Sequence, residues 1–273
     1  MLKPKYTLII ILLTFCRYSC LFADNVLDIE AKTIIPVARA DIWSPFGNAA
    51  TLANVDNIEA AVLCQNRFAV KELSTKAAQL AVPNKLLNVG LAISSFGYSA
   101  YNENIAGISF ARKFSDKLML ATQFNYYFVH FSKTEGTKGK LIPQIGILTQ
   151  PIEKLHIGFQ VFNPVQTNLE TSILTKRIPS VFSLGGSYQF SEKLIWGIQL
   201  DKEIQTDPQA AIEIEYRFFD YIWIKSGCVV RNETILPAMG FGLQLFDFQL
   251  DTNFKYHTVL GITSNVALSF KIK

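Results

Sequence analysis

Two groups of residues in this 273-residue chain have types and spacing that suggest chemistry. The first is a histidine–serine pair. His130 and Ser132 stand two apart, with His130 on the apolar parity of an alternating stretch and close to its end. A lipolytic enzyme working at a membrane boundary needs such a pair, plus a third polar group that orients the imidazole. No motif joins these two to a third residue, so an interfacial histidine beside a surface connection is the simpler reading. No catalytic residue is assigned and no enzyme is expected. The second group is a set of charges on the polar parity of alternating stretches: Asp201, Glu213, Glu215, Arg217, Asp247, Asp251 and Lys255. Such residues could line a polar channel or hold a ligand group, and charges paired across a narrow lumen give the same pattern.

Other chemistry finds little support. His130, His156 and His257 share no metal-ligand spacing and no CxxC occurs, so neither a metal nor a cofactor is expected. Gly-rich pieces such as LGG at 184–186 and MGFGLQ at 239–244 sit inside alternating stretches, where glycine permits bending or close packing more often than it cradles phosphate. Three of the 26 cations (Lys3, Lys5 and Arg17) fall in the first 23 residues, which carry no acid. The remainder is nearly balanced and has no basic cluster, so a nucleic-acid partner is not expected. The aromatic content of 12% and the absence of long A/E/K/L-rich stretches exclude disorder and coiled coil.

Residues 1–23 read as a secretory signal peptide. Lys3 and Lys5 form a charged start, Thr7 to Phe15 is an apolar run, and Ala23 is a small residue at the cleavage position. A lipoprotein signal is the alternative, since Cys16 and Cys20 lie near its end. Phe15 before Cys16, and Arg17 three before Cys20, fit a lipobox poorly. After cleavage Cys64 and Cys228 remain, both on apolar parity and far apart in sequence, so free thiols are expected rather than a disulfide staple.

The elements that must position the charges are strands. In DFQLDTNFKYH at 247–257, Phe248, Leu250, Thr252, Phe254 and Tyr256 alternate with a fully polar set. The same period of two runs through 211–218, 117–131 and 155–161, giving each stretch one apolar and one polar face. A soluble β-sandwich alternates as well, but its strands average about 5–6 residues, and these stretches are about twice that length. Phe114, Phe190, Phe218, Phe219 and Phe246 stand at strand ends, as in a membrane girdle.

Short connections (FSDKL at 114–118, PIEKL at 151–155, FSEKL at 190–194, FFDY at 218–221, LFDF at 245–248) alternate with longer polar ones. The longer set includes YSAYNEN at 98–104, SKTEGTKG at 132–139 and NPVQTNLETSILTKRIP at 163–179. Periplasmic turns and extracellular loops alternate in this way. The expected fold is therefore an all-β, transmembrane, antiparallel up-and-down β-barrel of about 14 strands over residues 57–273. An even count returns both barrel ends to one side. Residues 24–56, rich in Ala, Asn and Gly and interrupted by Pro45 and Gly47, precede it as a short N-terminal plug or hatch segment.

SPFGNAATLAN at 44–54 resembles the N-terminal motif of outer-membrane barrels related to the FadL-type long-chain fatty-acid transporters. The chain more closely resembles the PorV/PorQ-like group of Bacteroidetes, through the hairpin and following strand at 96–128 and through QPIEKLHIGFQVFNP at 150–164. The chain departs from these groups at Ala49 and Thr51, where the usual motif carries Pro and Gly, and at its final Phe270-Lys271-Ile272-Lys273, which lacks a terminal aromatic. The resemblance implies that Pro45, Phe46, Asn48, Leu52 and Asn54 belong to a segment folded into the lumen. It also implies a barrel in the outer membrane of a Gram-negative bacterium, with outer-membrane lipid as a partner. On the FadL side it implies passage or binding of a hydrophobic small molecule. On the PorV/PorQ side it implies a non-transporting component of type IX protein secretion or surface attachment, with secretion-system proteins as partners.

Overall fold

A computed structural model describes residues 33–39, 43–131, 136–170, 175–232 and 234–272. The expected signal peptide, and the first part of the segment expected to follow it, lie outside these residues. From Ile58 onward the alternation becomes strands, because a period of two places one face of each strand on one surface. Fourteen of them form a closed antiparallel barrel. In chain order these are β1 (Ile58–Asn66), β2 (Ser74–Val82), β3 (Asn88–Tyr98), β4 (Tyr101–Ser115), β5 (Leu118–Phe131), β6 (Gly136–Ile152) and β7 (Leu155–Phe162). A small hairpin, β8 (Asn168–Glu170) and β9 (Thr175–Arg177), interrupts the series. It resumes with β10 (Val181–Gln189), β11 (Leu194–Glu203), β12 (Gln209–Phe219), β13 (Ile222–Arg231), β14 (Thr234–Leu245), β15 (Phe248–His257) and β16 (Gly261–Ile272). Each barrel strand pairs with the next, β7 pairs with β10 past the hairpin, and β1 closes on β16 with Ile58 opposite Ile272. Closure leaves no open sheet edge.

The two faces differ as the alternation requires. Leu91, Ile93, Ile198 and Leu200 point outward and are about half exposed, whereas Gln79, Ser94, Gln123, Gln144 and Gln199 point inward and are buried. An apolar exterior around a closed polar interior is the arrangement of a transmembrane barrel. Cys64 and Cys228 lie on the outward parity, and both thiols are free. One end carries both barrel termini and the short connections, and is termed here the turn end. Its rim bears an aromatic band in which Phe190 stands 4.9 Å from Trp196, Tyr216 4.9 Å from Phe218, and Phe248 4.5 Å from Phe270, measured between ring centroids. The opposite end carries the longer connections and is termed the loop end.

Two connections depart from the sequence reading. YSAYNEN at 98–104 is not a long loop: β4 begins at Tyr101, directly opposite Tyr98, after a tight turn that Gly97 enters at φ 107. The polar residues there belong to the strand, since Glu103 and Asn104 stay in register with Phe96 and Ser95. Residues 163–179 also do more than join two strands. The hairpin of β8 and β9 turns Leu169, 1% exposed, and nearby Ile178, 2% exposed, against Phe96, Tyr127, Val129 and Ile142 of the loop-end wall. Isolated apolar residues in a polar stretch gave no period from which this burial could be read.

Candidate functional site

The inner wall is where the charged set and the N-terminal segment meet. Residues 33–39 and 43–55 lie inside the barrel, toward the turn end, as short 3-10 turns at Pro36–Ala38, Ser44–Phe46 and Ala49–Asn54. Proline at 36 and 45 and glycine at 47 prevent any longer regular element. Irregular backbone buried inside the barrel leaves amides and carbonyls that need partners. The inward polar residues of the barrel supply them. Asn88 Nδ2 donates to Leu52 O at 2.9 Å and to Val55 O at 2.8 Å. Gln123 Nε2 donates to Pro45 O at 3.0 Å, and Gln144 Nε2 to Gly47 O at 2.8 Å. Across the lumen, Gln199 Oε1 accepts from Val37 N at 3.0 Å and Ser187 Oγ donates to Ala38 O at 3.1 Å.

Asn48 ties these contacts together. Its Oδ1 accepts from Ala50 N at 3.0 Å, capping the turn that follows. Its Nδ2 donates to Val37 O at 2.9 Å and to Ile147 O on β6 at 2.8 Å. One fully buried amide thus joins two parts of the segment to the wall. The wall is bare where the segment presses closest. A Cβ on Gly146 would collide with Asn48 Oδ1, and one on Gly158 with the carbonyl of Val37. Of the other residues expected in this segment, Pro45 and Leu52 are buried, whereas Phe46 and Asn54 are half-buried. Leu52 packs with Trp43, Val55 and Met119 among alanines of the wall, including Ala61, Ala77, Ala111 and Ala121.

The seven charged residues take four kinds of place. Glu213 and Glu215, inward on β12, face the segment: Glu213 accepts from Thr33 Oγ1 at 2.6 Å and Ile34 N at 3.0 Å, and Glu215 pairs with Arg39 at 2.8 Å. Asp251 pairs with Lys225 at 2.9 Å, both almost fully buried, and also accepts from Gln249 at 2.5 Å. Asp201 accepts from Gln199 Nε2 at 2.9 Å, Arg217 lies 5.6 Å from the Trp223 ring centre, and Lys255 is inward on β15 opposite Ala238. Asp247 is different, lying in the turn before β15 and not on a strand.

The cations of these ion pairs, Arg39 and Lys225, were not among the residues singled out from sequence. Parity alone could have found Lys225, which shares the inward face of β13 with Trp223 and alternates with Ile224 and Ser226. Its partner could not be read, because the pair reaches across the intervening strand β14. Gly240 and Gly242 stand beside Lys225 and Trp223 in register, and a Cβ on Gly242 would collide with the Trp223 indole. His130 lies on the outward parity with its Nδ1 3.1 Å from Thr137 Oγ1, and Ser132 is outside the described residues.

No family model matches this chain, and no curated protein matches it. Solved structures do. The monoaromatic hydrocarbon channel CymD superposes with a TM-score of 0.64 at 10% identity, covering 87% of this chain and 95% of that one. A FadL homologue of Pseudomonas aeruginosa gives 0.62 at 11% identity, with 87% and 96% covered. The Ralstonia pickettii toluene transporter TbuX gives 0.63 at 12% identity, with 91% and 100% covered. At such identities the likeness is one of fold: the closed antiparallel barrel described above is shared with these proteins.

Proposed function

We propose that the chain is an outer-membrane barrel that binds or passes a hydrophobic small molecule, with residues 24–56 as its internal plug. In this reading the turn end faces the periplasm and the loop end the exterior. The inward charges hold the plug and shape the lumen, and the outward face meets outer-membrane lipid. The observation that carries it is the way the N-terminal segment is seated. Its backbone is clipped to the wall by single side chains, each bond worth about 1 kcal/mol net, while its apolar residues occupy an alanine-walled hollow. A ligand of similar apolar chemistry competes naturally for that hollow. Solved barrels of the same fold include a toluene transporter and a monoaromatic hydrocarbon channel, which supports the ligand class.

The test is planar-bilayer conductance, together with binding of a fluorescent hydrophobic probe, on refolded protein with and without residues 24–56. The expected result is probe binding or conductance that changes when the segment is removed. Two silent forms with no probe bound would overturn the passage reading and leave a non-transporting role beside secretion-system proteins.

A further inference from the structure

At the loop end, a carboxylate on β4 is ion-paired with a lysine of the long connection. Glu103 is inward and 3% exposed. Its Oε1 accepts from Tyr101 OH at 2.7 Å and its Oε2 from Tyr127 OH at 2.7 Å. The cation is Lys176 of β9, whose ammonium contacts Glu103 and donates to Tyr101 OH at 2.6 Å. The same ammonium lies 5.3 Å from the Tyr101 ring centre and 5.9 Å from that of Tyr127. Two phenols and a carboxylate therefore form a socket that Lys176 fills. An ammonium is bound well by such a set, through charge and through the electron-rich ring faces.

The rest of the connection is built to bring Lys176 to this socket. Asn163, at φ 53, holds both roots of the hairpin: its Nδ2 donates to Thr167 O at 3.2 Å and to Ile178 O at 3.0 Å, and its Oδ1 accepts from Thr167 N at 2.9 Å. Ser180 Oγ donates to Asn163 O at 2.5 Å. Between these roots and the socket, Leu169 and Ile178 seat among Phe96, Val129 and Ile142. The segment is anchored at Asn163, apolar beneath, and tied to the barrel wall by the Lys176–Glu103 ion pair, while Arg177 donates to Gln205 at the surface.

We propose that the hairpin of β8 and β9 is a latched lid over the loop-end mouth, with Lys176 as the latch and Glu103, Tyr101 and Tyr127 as its catch. Lifting the lid exposes the apolar cluster beneath it and leaves the carboxylate to water. Losing the cation while the lid is shut strands a buried charge, which drives the lid open. The lid's purpose rests on the passage reading, but the latch can be tested without any ligand.

The experiment uses the refolded full chain in lipid vesicles, with all four native cysteines replaced by alanine and Val129→Cys placed under the lid. Val129 is fully buried in the cluster. The readout is the rate of labelling by a charged maleimide, with gel mobility of the unheated sample checking that the barrel is folded. Labelling in the latched parent is expected to be slow, and Lys176→Met to accelerate it about tenfold or more, as for a raised open population. The charge swap Glu103→Lys with Lys176→Glu restores the parent rate. Equal rates in the parent and Lys176→Met, or a swap as fast as Lys176→Met, overturn the latch. If Val129→Cys does not fold, Ile142→Cys samples the same cluster. Hydrophobic-probe binding on the same variants reads the passage proposal separately: a latch that opens without changing probe binding sinks the passage and keeps the lid.

Discussion

Two pieces of chain lie within the wall, and they are fastened by different means. The N-terminal segment at the turn end is held by many contacts spread over β3, β6, β10, β11 and β12, neutral amides and a hydroxyl on the first four and the carboxylates of Glu213 and Glu215 on the last. The hairpin at the loop end is held by a few buried apolar side chains and one charge cluster. Distributed fastening tolerates the loss of any one contact, whereas concentrated fastening can be released at a point. The difference suits the two proposed roles, a plug displaced as a whole and a lid opened by one event.

Three substitutions sharpen this contrast. The largest effect is expected at Asn48, the one place where the turn-end contacts converge. Asn48→Ala strands Val37 O, Ile147 O and Ala50 N, and should loosen the segment by about 3–5 kcal/mol, from about 1–3 per stranded group. Amide hydrogen exchange over 33–55 would rise sharply while that of the barrel strands stays protected. Next comes Leu169→Ala, which empties a buried site in the lid and should cost about 2–3 kcal/mol. Its exchange increase would be confined to the hairpin, and a spread into residues 33–55 would break the separation of the two regions. The smallest is Gln123→Ala, which removes one of the spread contacts for about 1 kcal/mol. A segment released by this change alone would show that the turn-end fastening is not distributed after all.

Much of the barrel was legible because each strand repeats one rule, apolar outward and polar inward. The alternating stretches at 117–131, 155–161, 211–218 and 247–257 appear as Leu118–Phe131, Leu155–Phe162, Gln209–Phe219 and Phe248–His257. What was hidden depends on neighbours in space. Strand β2 is an example: KELSTKAAQLAVP at 71–83 carries little alternation, yet after a 3-10 turn over Lys71–Leu73 the strand Ser74–Val82 takes its place between two neighbours. The inward set Glu213, Glu215, Arg217 and Asp251 followed from parity, but Arg39 and Lys225, which pair with members of it, belong to other elements. Glu103 and Lys176 are 73 residues apart in sequence, and neither stands in a motif.

The glycines of the inner wall have one more consequence. Gly158 and Gly185 face each other on β7 and β10, Gly146 lies on the next strand, and a side chain at any of the three would run into the N-terminal segment. The wall is therefore a mould, and the segment its casting. With the casting withdrawn, the imprint persists as a furrow of naked main chain running across adjacent strands. Its contour is set by the positions where side chains are missing, so a slender flexible molecule could follow the track that the polypeptide has vacated.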